Sequence, residues 1–294
     1  MGLAPCAAGA LAQAADELAS GRAPVLWLQG QSCSGCSVSL LDSETPSPLK
    51  VLTRYISLGF HQTLSSATGK QAVDTVNRVI TSGGYVLIVE GSVPLGMPKA
   101  CRFADETFAD QLKRGARNAK AILTVGTCAS FGGIPAAENN PTGATSIPDY
   151  LTQQGISTAV IRVPGCPAHP DWLVGTVLHV LRFGVPPLDN LGRPRAFYSR
   201  SLHDQCPRFA DYERERFAKT FGDEGCLFKL GCLGPITKAD CNVRSWNGGI
   251  NNCIRAGAPC IGCGGEAFAL KASLAFSTKG RPLESKQPRK GTDS

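Results

Sequence analysis

The sequence predicts an α/β protein: a parallel sheet wrapped on both faces by helices, followed by a smaller, loop-rich, cysteine-rich region. Three observations carry that prediction. Four short apolar runs each end in a glycine-containing loop. Helix-like segments separate the runs, and such alternation builds parallel sheets. After about Asp189 the apolar periodicity fades, glycines rise, and seven of the thirteen cysteines fall between Cys206 and Cys263.

In chain order the runs are VLWLQGQSC from Val25, YVLIVEGSVP from Tyr85, AILTVGTCAS from Ala121 and AVIRVPGCP from Ala159. The helical patterns between and after them span 69–81, 105–118, 146–154 and 171–183, the last capped from the His169–Asp171 turn. Open parallel sheets bind ligands just beyond the carboxyl ends of their strands. Three of the four runs place cysteines there: Cys33 with Cys36, then Cys128, then Cys166. Residues far apart in sequence would thus converge on one edge of the sheet.

The expected organisation has four parts. Residues 1–23 form an N-terminal extension, 24–188 the sheet domain, 189–268 the cysteine-rich domain and 269–294 a basic tail expected to be disordered. The start, LAPCAAGALAQA, is small and apolar, and ALA or AQA would suit a signal peptidase, but no basic region precedes it. It reads either as a plain helix (ALAQAADELAS) or as the remnant of an export signal. No run of about 18 apolar residues occurs, so no membrane-spanning segment is expected.

Composition narrows the function. Hydrophobic residues make up 43% of the chain, enough for a core, while 33 glycines and 20 prolines predict extensive loops. The net charge of +7 comes partly from the segment between Lys279 and Lys290. Aromatics are only 7% and no basic stripe interleaves with them, so no nucleic-acid partner is expected. Disulfide-dense domains are usually small and core-poor. A chain of 294 residues with an odd count of thirteen cysteines and CxxC motifs in an α/β pattern favours metal instead.

The candidate ligands fall into three groups of four. The first is Cys33, Cys36, Cys128 and Cys166; the second is His203, Cys206, Cys226 and Cys232; the third is Cys241, Cys253, Cys260 and Cys263. A cubane iron–sulfur cluster needs four soft, deprotonated donors in tetrahedral array, and thiolate suits it best. A lone CxxC would equally suit zinc or a redox pair. Partners more than 90 and 130 residues downstream of Cys33, at strand ends, are unlike two local zinc knuckles. His203 stands three residues before Cys206, in a segment otherwise one ligand short, and a neutral imidazole there tends to raise the reduction potential. His61, His169 and His179 have no such context, and His179 reads as structural.

Cys6 and Cys101 are left as ordinary thiols, Cys101 half-buried. Trp246, in SWNGGINN, is expected to pack over the third group and limit water there. Glu90, ending a strand in VEGSVP, reads either as a proton-handling group or as a loop cap. No P-loop, GxGxxG or Ser–His–Asp arrangement supports nucleotide or acyl chemistry. Three cluster sites in one chain point to electron transfer.

Read together, LWLQGQSCSGCSVSLLDSE, VEGSVP, VGTCASFGGIPAAE, VPGCPAHPDWLVGT, LDNLGRPRAFYSRSLHDQCPR, GCLFKLGCLGP and CNVRSWNGGINNCIRAGAPCIGC resemble the small subunit of nickel–iron hydrogenases. The matches run in order from about Trp27 to Cys263. The resemblance implies a flavodoxin-like N-terminal domain with a proximal 4Fe–4S cluster on the first group and a distal 4Fe–4S cluster on the second. It implies a medial cluster on Cys241, Cys260 and Cys263. Many members carry proline at the Cys253 position and a 3Fe–4S medial cluster; with a thiol there, 4Fe–4S is expected, at lower potential. That pattern, and Ser32 where many members carry glutamate, is similar to the nickel–iron–selenium subgroup.

Oxygen-tolerant relatives place extra cysteines at the positions of Gly35 and Gly133, so an ordinary four-cysteine proximal cubane is expected. The resemblance further implies that the nickel–iron centre lies in a large partner subunit, reached over an extensive apolar interface, and that a cytochrome or ferredoxin exchanges electrons near His203. Relatives are usually exported on a twin-arginine signal, a motif not found in this sequence. The apolar stretch around Cys6 favours the periplasm, with or without membrane association, over the cytoplasm. Two rival readings are the cluster-bearing subunit of a respiratory quinone reductase and a stand-alone ferredoxin-like carrier. The first typically shows adjacent paired cysteines, unlike Cys33 and Cys36, and lacks the ligands of 203–263.

Overall fold

The structure, a computed structural model, describes residues 23–137 and 139–268. The expectations for the N-terminal extension, for Cys6 and for the basic tail lie outside them. Five parallel strands form the main sheet: β1 (Ala23–Gln29), β2 (Ile56–His61), β3 (Val86–Glu90), β4 (Ala121–Val125) and β5 (Val160–Val163), in the order β2-β1-β3-β4-β5. This is the flavodoxin-like order, in which the chain reverses its direction of growth between β1 and β3.

Four of the strands are those the apolar runs predict. β2 was not expected from the sequence, and its residues explain why. ISLGFH occupies the sheet edge, with Ser57 exposed and Leu58 and Gly59 only partly buried, so it shows neither a continuous apolar run nor strict alternation. Gly59 interrupts it for a packing reason: a Cβ there would lie 2.7 Å from Val79 Cγ2 on the covering helix.

Successive side chains of a strand point to opposite faces, and two cores follow. On one face Val25, Trp27, Ile88, Leu123, Val125 and Ile161 pack with Trp172, Leu173 and Val177 of the helix Pro170–Phe183. On the other, Leu26, Leu28, Leu87, Val89 and Ile122 meet Val76, Ile80, Phe108, Leu112 and Leu151 of the helices there. Burying each such side chain stabilises the fold by about 1.5–3 kcal/mol. β3 and β4 are buried throughout, which accounts for their near-continuous apolar sequence. Glu90 at the end of β3 and Thr124 in β4 are the polar exceptions, the Thr124 hydroxyl lying 3.0 Å from that of Ser130.

The longer helices of this region are α1 (Gly35–Leu41), α2 (Gly69–Ser82), α3 (Phe108–Asn118), α4 (Gly126–Phe131), α5 (Ile147–Gln153) and α6 (Pro170–Phe183). α3 starts three residues later than the pattern predicts. Arg102–Phe103 and Glu106–Thr107 first make a small antiparallel pair, and the Thr107 hydroxyl then accepts the Asp110 N–H at 3.2 Å as the helix cap. Ser146 caps α5 in the same way, and His169 caps α6 by accepting the Asp171 N–H at 3.1 Å through Nδ1, as expected.

Beyond α6 the described residues add no strand to the sheet. It runs through 3-10 turns and short helices, among them Arg195–Tyr198, Phe209–Glu213 and α7 (Cys241–Arg244). This part packs on the α6 face, where Tyr198, Leu202, Leu227 and Ile254 join the core. Polar ties hold it there: Trp172 Nε1 donates to Asp240 at 2.6 Å, Tyr198 donates to the Pro164 carbonyl at 2.7 Å, and Arg244 pairs with Asp171 at 2.9 Å. Arg193, itself buried, pairs with Asp189 at 2.8 Å and reaches the Gly264 carbonyl at 3.3 Å. Among the described residues, no helix is long and apolar enough to cross a membrane.

Two buried histidines complete the packing. His61 Nδ1 accepts the N–H groups of Thr63 and Leu64 at 3.0 and 3.3 Å. Its proton therefore sits on Nε2, which donates to Ser37 Oγ at 3.1 Å. Burial pulls its pKa down to about 4. His169 is lowered for the same reason. The unfolded chain, with histidines near pH 6.5, binds protons the folded chain refuses, so stability is full above about pH 6.5 and declines as pH falls toward 4. For His61 the loss approaches about 3 kcal/mol at the acid end. Thermal unfolding followed from pH 7 to pH 5 should show that decline in the wild type and a shallower one in His61→Gln; parallel pH profiles would contradict it.

Candidate metal centres

The first cysteine group is built at the carboxyl edge of the sheet. β1 leads through Gly30 to Cys33; Ser34, held at φ 61, then turns the chain into α1, whose second residue is Cys36. β4 runs into Gly126 and α4, which carries Cys128, and β5 leads to Gly165 and Cys166. All four cysteines line one hollow, shared with Glu90 and Gly126. Gly126 has φ +84, and a Cβ there would stand 2.5 Å from Cys36 Sγ, so only glycine lets β4 approach this thiol.

Burial sets the electrostatics. It pushes the Cys36 thiol well above its ordinary pKa, reinforced by the nearby Glu90 charge. It pushes Cys128 and Cys166 up to about 11, with the charges of neighbouring cysteines adding to the shift. Glu90 is buried and caps the Cys36 loop, one of the two roles its sequence position allows. Its Oε1 accepts the Cys36 N–H at 3.0 Å, and its Oε2 accepts from Gln29 Nε2 at 3.1 Å and from the Ser37 hydroxyl. Gly35 and Gly133 both adjoin this group. A Cβ at Gly35 would lie 3.1 Å from Cys33 Sγ, and one at Gly133, where φ is +60, would lie 2.6 Å from Cys128 Sγ.

The second group surrounds a separate hollow, lined by His203, Cys206, Cys226 and Cys232. His203 opens a 3-10 turn whose carbonyl accepts the Cys206 N–H at 3.0 Å, which explains the HDQC spacing. Its ring meets Phe209 and Tyr212 edge-on at 5.0 and 4.7 Å, and Tyr212 in turn touches Phe217 and Phe228. The site thus has an aromatic, partly exposed outer wall.

The third group lies between the other two. Cys241, the first residue of α7, is pushed far up by burial and then by the charges of Cys263, Cys260 and Cys253. Cys260 rises to about 12 and Cys263 to about 11, again chiefly through burial. Cys253 is the exposed member. Trp246, expected over this group, has His169 and Trp172 as its ring partners, at 4.5 and 6.4 Å. Cys101 is half-buried, as expected.

Contacts between the ligand-bearing loops fix the spatial order. The Thr127 hydroxyl, next to Cys128 of the first group, donates to the Cys263 carbonyl of the third, and the charge of Cys166 adds to the upward shift of the Cys263 thiol. The Cys260 N–H of the third group reaches Cys232 Sγ of the second at 3.4 Å. The line therefore runs first, third, second. Sequence reading missed Thr127, whose hydroxyl donates to the Cys263 carbonyl, and the support that His61 and Ser37 give Glu90. Only the position of Thr127 beside Cys128 offered a signal.

The donors fit iron–sulfur clusters. The twelve cysteines of the described residues are all free thiols. Among the described residues, no three His, Cys, Asp or Glu side chains close on a point that would hold a single metal ion. A tetrahedral zinc with bonds of about 2.3 Å would draw its sulfurs to within about 3.8 Å of one another. Here the thiols stand around open hollows, and as thiolates they would repel one another in buried surroundings. A cationic iron core accepting four thiolates relieves both costs.

Comparison with known proteins agrees with this geometry. Residues 198–276 match the C-terminal family of NiFe/NiFeSe hydrogenase small subunits, and residues 33–180 match NADH ubiquinone oxidoreductase, 20 Kd subunit. The periplasmic NiFeSe hydrogenase small subunit of Desulfomicrobium baculatum is 40% identical over 262 residues, spanning 82% of this chain and 83% of that one. The hydrogenase-2 small chain of Escherichia coli K12 is 38% identical over 93% of this chain and 75% of its own. The recombinant NiFeSe hydrogenase structure from Desulfovibrio vulgaris Hildenborough superposes with a TM-score of 0.81 at 43% identity, covering 85% of this chain and 96% of that one. By sequence along nearly its whole length and by fold, the chain belongs to the NiFe/NiFeSe hydrogenase small subunits, the electron-transfer subunits of heterodimeric hydrogenases.

Proposed function

We propose that the chain carries three 4Fe–4S clusters, a proximal one on Cys33, Cys36, Cys128 and Cys166, a medial one on Cys241, Cys253, Cys260 and Cys263, and a distal one on His203, Cys206, Cys226 and Cys232. Through them electrons pass between the nickel–iron site of a large partner subunit, where dihydrogen is split or formed, and an external acceptor. The single observation that supports this most is the order of the three donor groups, the first joined to the third where Thr127 meets the Cys263 carbonyl and the third to the second where the Cys260 N–H meets Cys232 Sγ.

The partner covers the proximal end. Beside that group the outer face of α1 leaves Val38 and Leu41 exposed, Leu49 follows, and Ile134 lies next to Gly133, a set of apolar side chains suited to an obligate interface. At the other end, His203 and its aromatic wall form the exit toward a cytochrome or ferredoxin. A fourth thiol at Cys253 makes the medial cluster 4Fe–4S rather than 3Fe–4S. The periplasmic relative supports a periplasmic location, free or associated with the membrane.

The quinone-reductase reading accounts for the match over residues 33–180 but not for the donors after His203. A stand-alone carrier would leave the apolar face around α1 uncovered.

Four outcomes follow from the assignment. Purified heterodimer should contain about twelve small-subunit irons with matching sulfide. Oxidation should give no 3Fe–4S EPR signal in the wild type and a strong one in Cys253→Pro; a strong wild-type signal would rule out the fourth thiolate. Gly126→Ala, which drives a methyl into Cys36 at a positive φ, should cost about 1–3 kcal/mol and lower iron content; full loading at unchanged stability would show that β4 does not need this close approach. His203→Ala should slow reduction of acceptor dyes while hydrogen–deuterium exchange at the partner stays nearly intact, and equal loss of both would remove His203 from the exit.

A further inference from the structure

The junction between the first and third donor groups differs from that between the third and second. The latter is made by backbone N–H donors: the Cys260 N–H reaches Cys232 Sγ at 3.4 Å, and the Leu233 N–H donates to the Cys260 carbonyl at 2.7 Å. The former includes a buried side-chain hydroxyl that touches both loops directly, beside the outer ties of Arg193 to Gly264 and Tyr198 to Pro164. Thr127, 1% exposed, lies between Gly126 and Cys128. Its N–H donates to the Gly165 carbonyl at 2.9 Å, and its Oγ1 accepts the Gly165 N–H at 2.9 Å. The Thr127 hydroxyl then donates its proton to the Cys263 carbonyl.

One hydroxyl therefore holds three ligand-bearing loops: its own, leading to Cys128; the Gly165 loop, leading to Cys166; and the Cys263 loop of the third group. The hydroxyl's donor and acceptor capacity are both used, in a buried setting where an unmade bond is costly. The Gly165 loop has no slack of its own, because a Cβ at Gly165 would lie 2.7 Å from the Pro167 carbonyl oxygen. With that loop fixed, the stretch leading to Cys166 is held beside the Cys263 loop through the one hydroxyl.

We propose that Thr127 is a positioning residue that clamps the Cys166 loop to the Cys263 loop and so sets the rate at which electrons pass between the first and third sites. The inference rests on the cluster assignment proposed above. Electron tunnelling falls off exponentially with the gap between sites and decays least through bonded and hydrogen-bonded atoms. Removing the hydroxyl lets the two loops separate without removing a ligand. In the step considered, one electron leaves the reduced first site and one arrives at the oxidised third; no bond is made or broken and no proton is carried.

The test compares wild type, Thr127→Val, Thr127→Ala and Thr127→Ser as purified heterodimers, each assayed for iron and sulfide and for hydrogen–deuterium exchange. Rapid-freeze EPR after mixing with dihydrogen then times the arrival of electrons at the third site. Thr127→Val should keep its iron and its exchange activity yet fill the third site several-fold more slowly, and Thr127→Ser, which restores the hydroxyl, should return to the wild-type rate. Wild-type arrival times in a fully loaded Thr127→Val would overturn the proposal. So would loss of iron in both Thr127→Val and Thr127→Ala, which would make the hydroxyl a folding determinant only. Absence of iron from the wild type would instead overturn the cluster assignment.

Discussion

Gathering thiols in buried sites is the constraint on which the rest of this structure depends. Desolvation raises the pKa of every candidate ligand cysteine whose shift is resolved, and neighbouring sulfurs add to it. Left to themselves, such groups stay protonated and confer nothing that justifies their company. Bound to a cationic inorganic core, they become the most favourable charges in the protein. Residues 189–268 bear the mark of this constraint: short helices and 3-10 turns, no strand of the sheet, and a core shared with α6. In such a region metal-binding energy also serves as folding energy.

The sheet supplies what that region cannot. Its parallel strands deliver loops to one edge, and the 2-1-3-4-5 order opens a crevice where the chains leaving β1 and β3 part. Cys33 and Cys36 follow β1, Glu90 ends β3, Cys128 follows β4 and Cys166 follows β5, so one hollow draws on four adjacent strands. Glu90 fixes the Cys36 loop from below, steadied by Ser37, which His61 in turn holds. From this rigid edge the donor groups extend in a line toward the aromatic wall around His203.

Much of this was legible in the sequence, and the gaps have physical reasons. The four runs from Val25, Tyr85, Ala121 and Ala159 read clearly because strands covered on both faces are apolar almost throughout. β2 did not, because an edge strand with Ser57 and Gly59 lacks that signature. The cap at His169 was readable from local spacing; the hairpin that delays α3 to Phe108 was not. Glu90 could be placed near the first group but its role could not, since its partners Gln29 and Ser37 lie more than 50 residues away. Thr127 and Cys263, 136 residues apart, left no pattern at all. The spatial order also inverts the sequence: the last group of cysteines stands in the middle, which family resemblance supplied and spacing did not.

The central claim is that three separate inorganic clusters stand in that order. Anomalous diffraction from crystals of the heterodimer, recorded on either side of the iron edge, tests it most directly. The account predicts three iron peaks in this chain, with the one ringed by Cys241, Cys253, Cys260 and Cys263 between the other two. Fewer peaks, peaks away from these sulfurs, or signal at the zinc edge instead would contradict it.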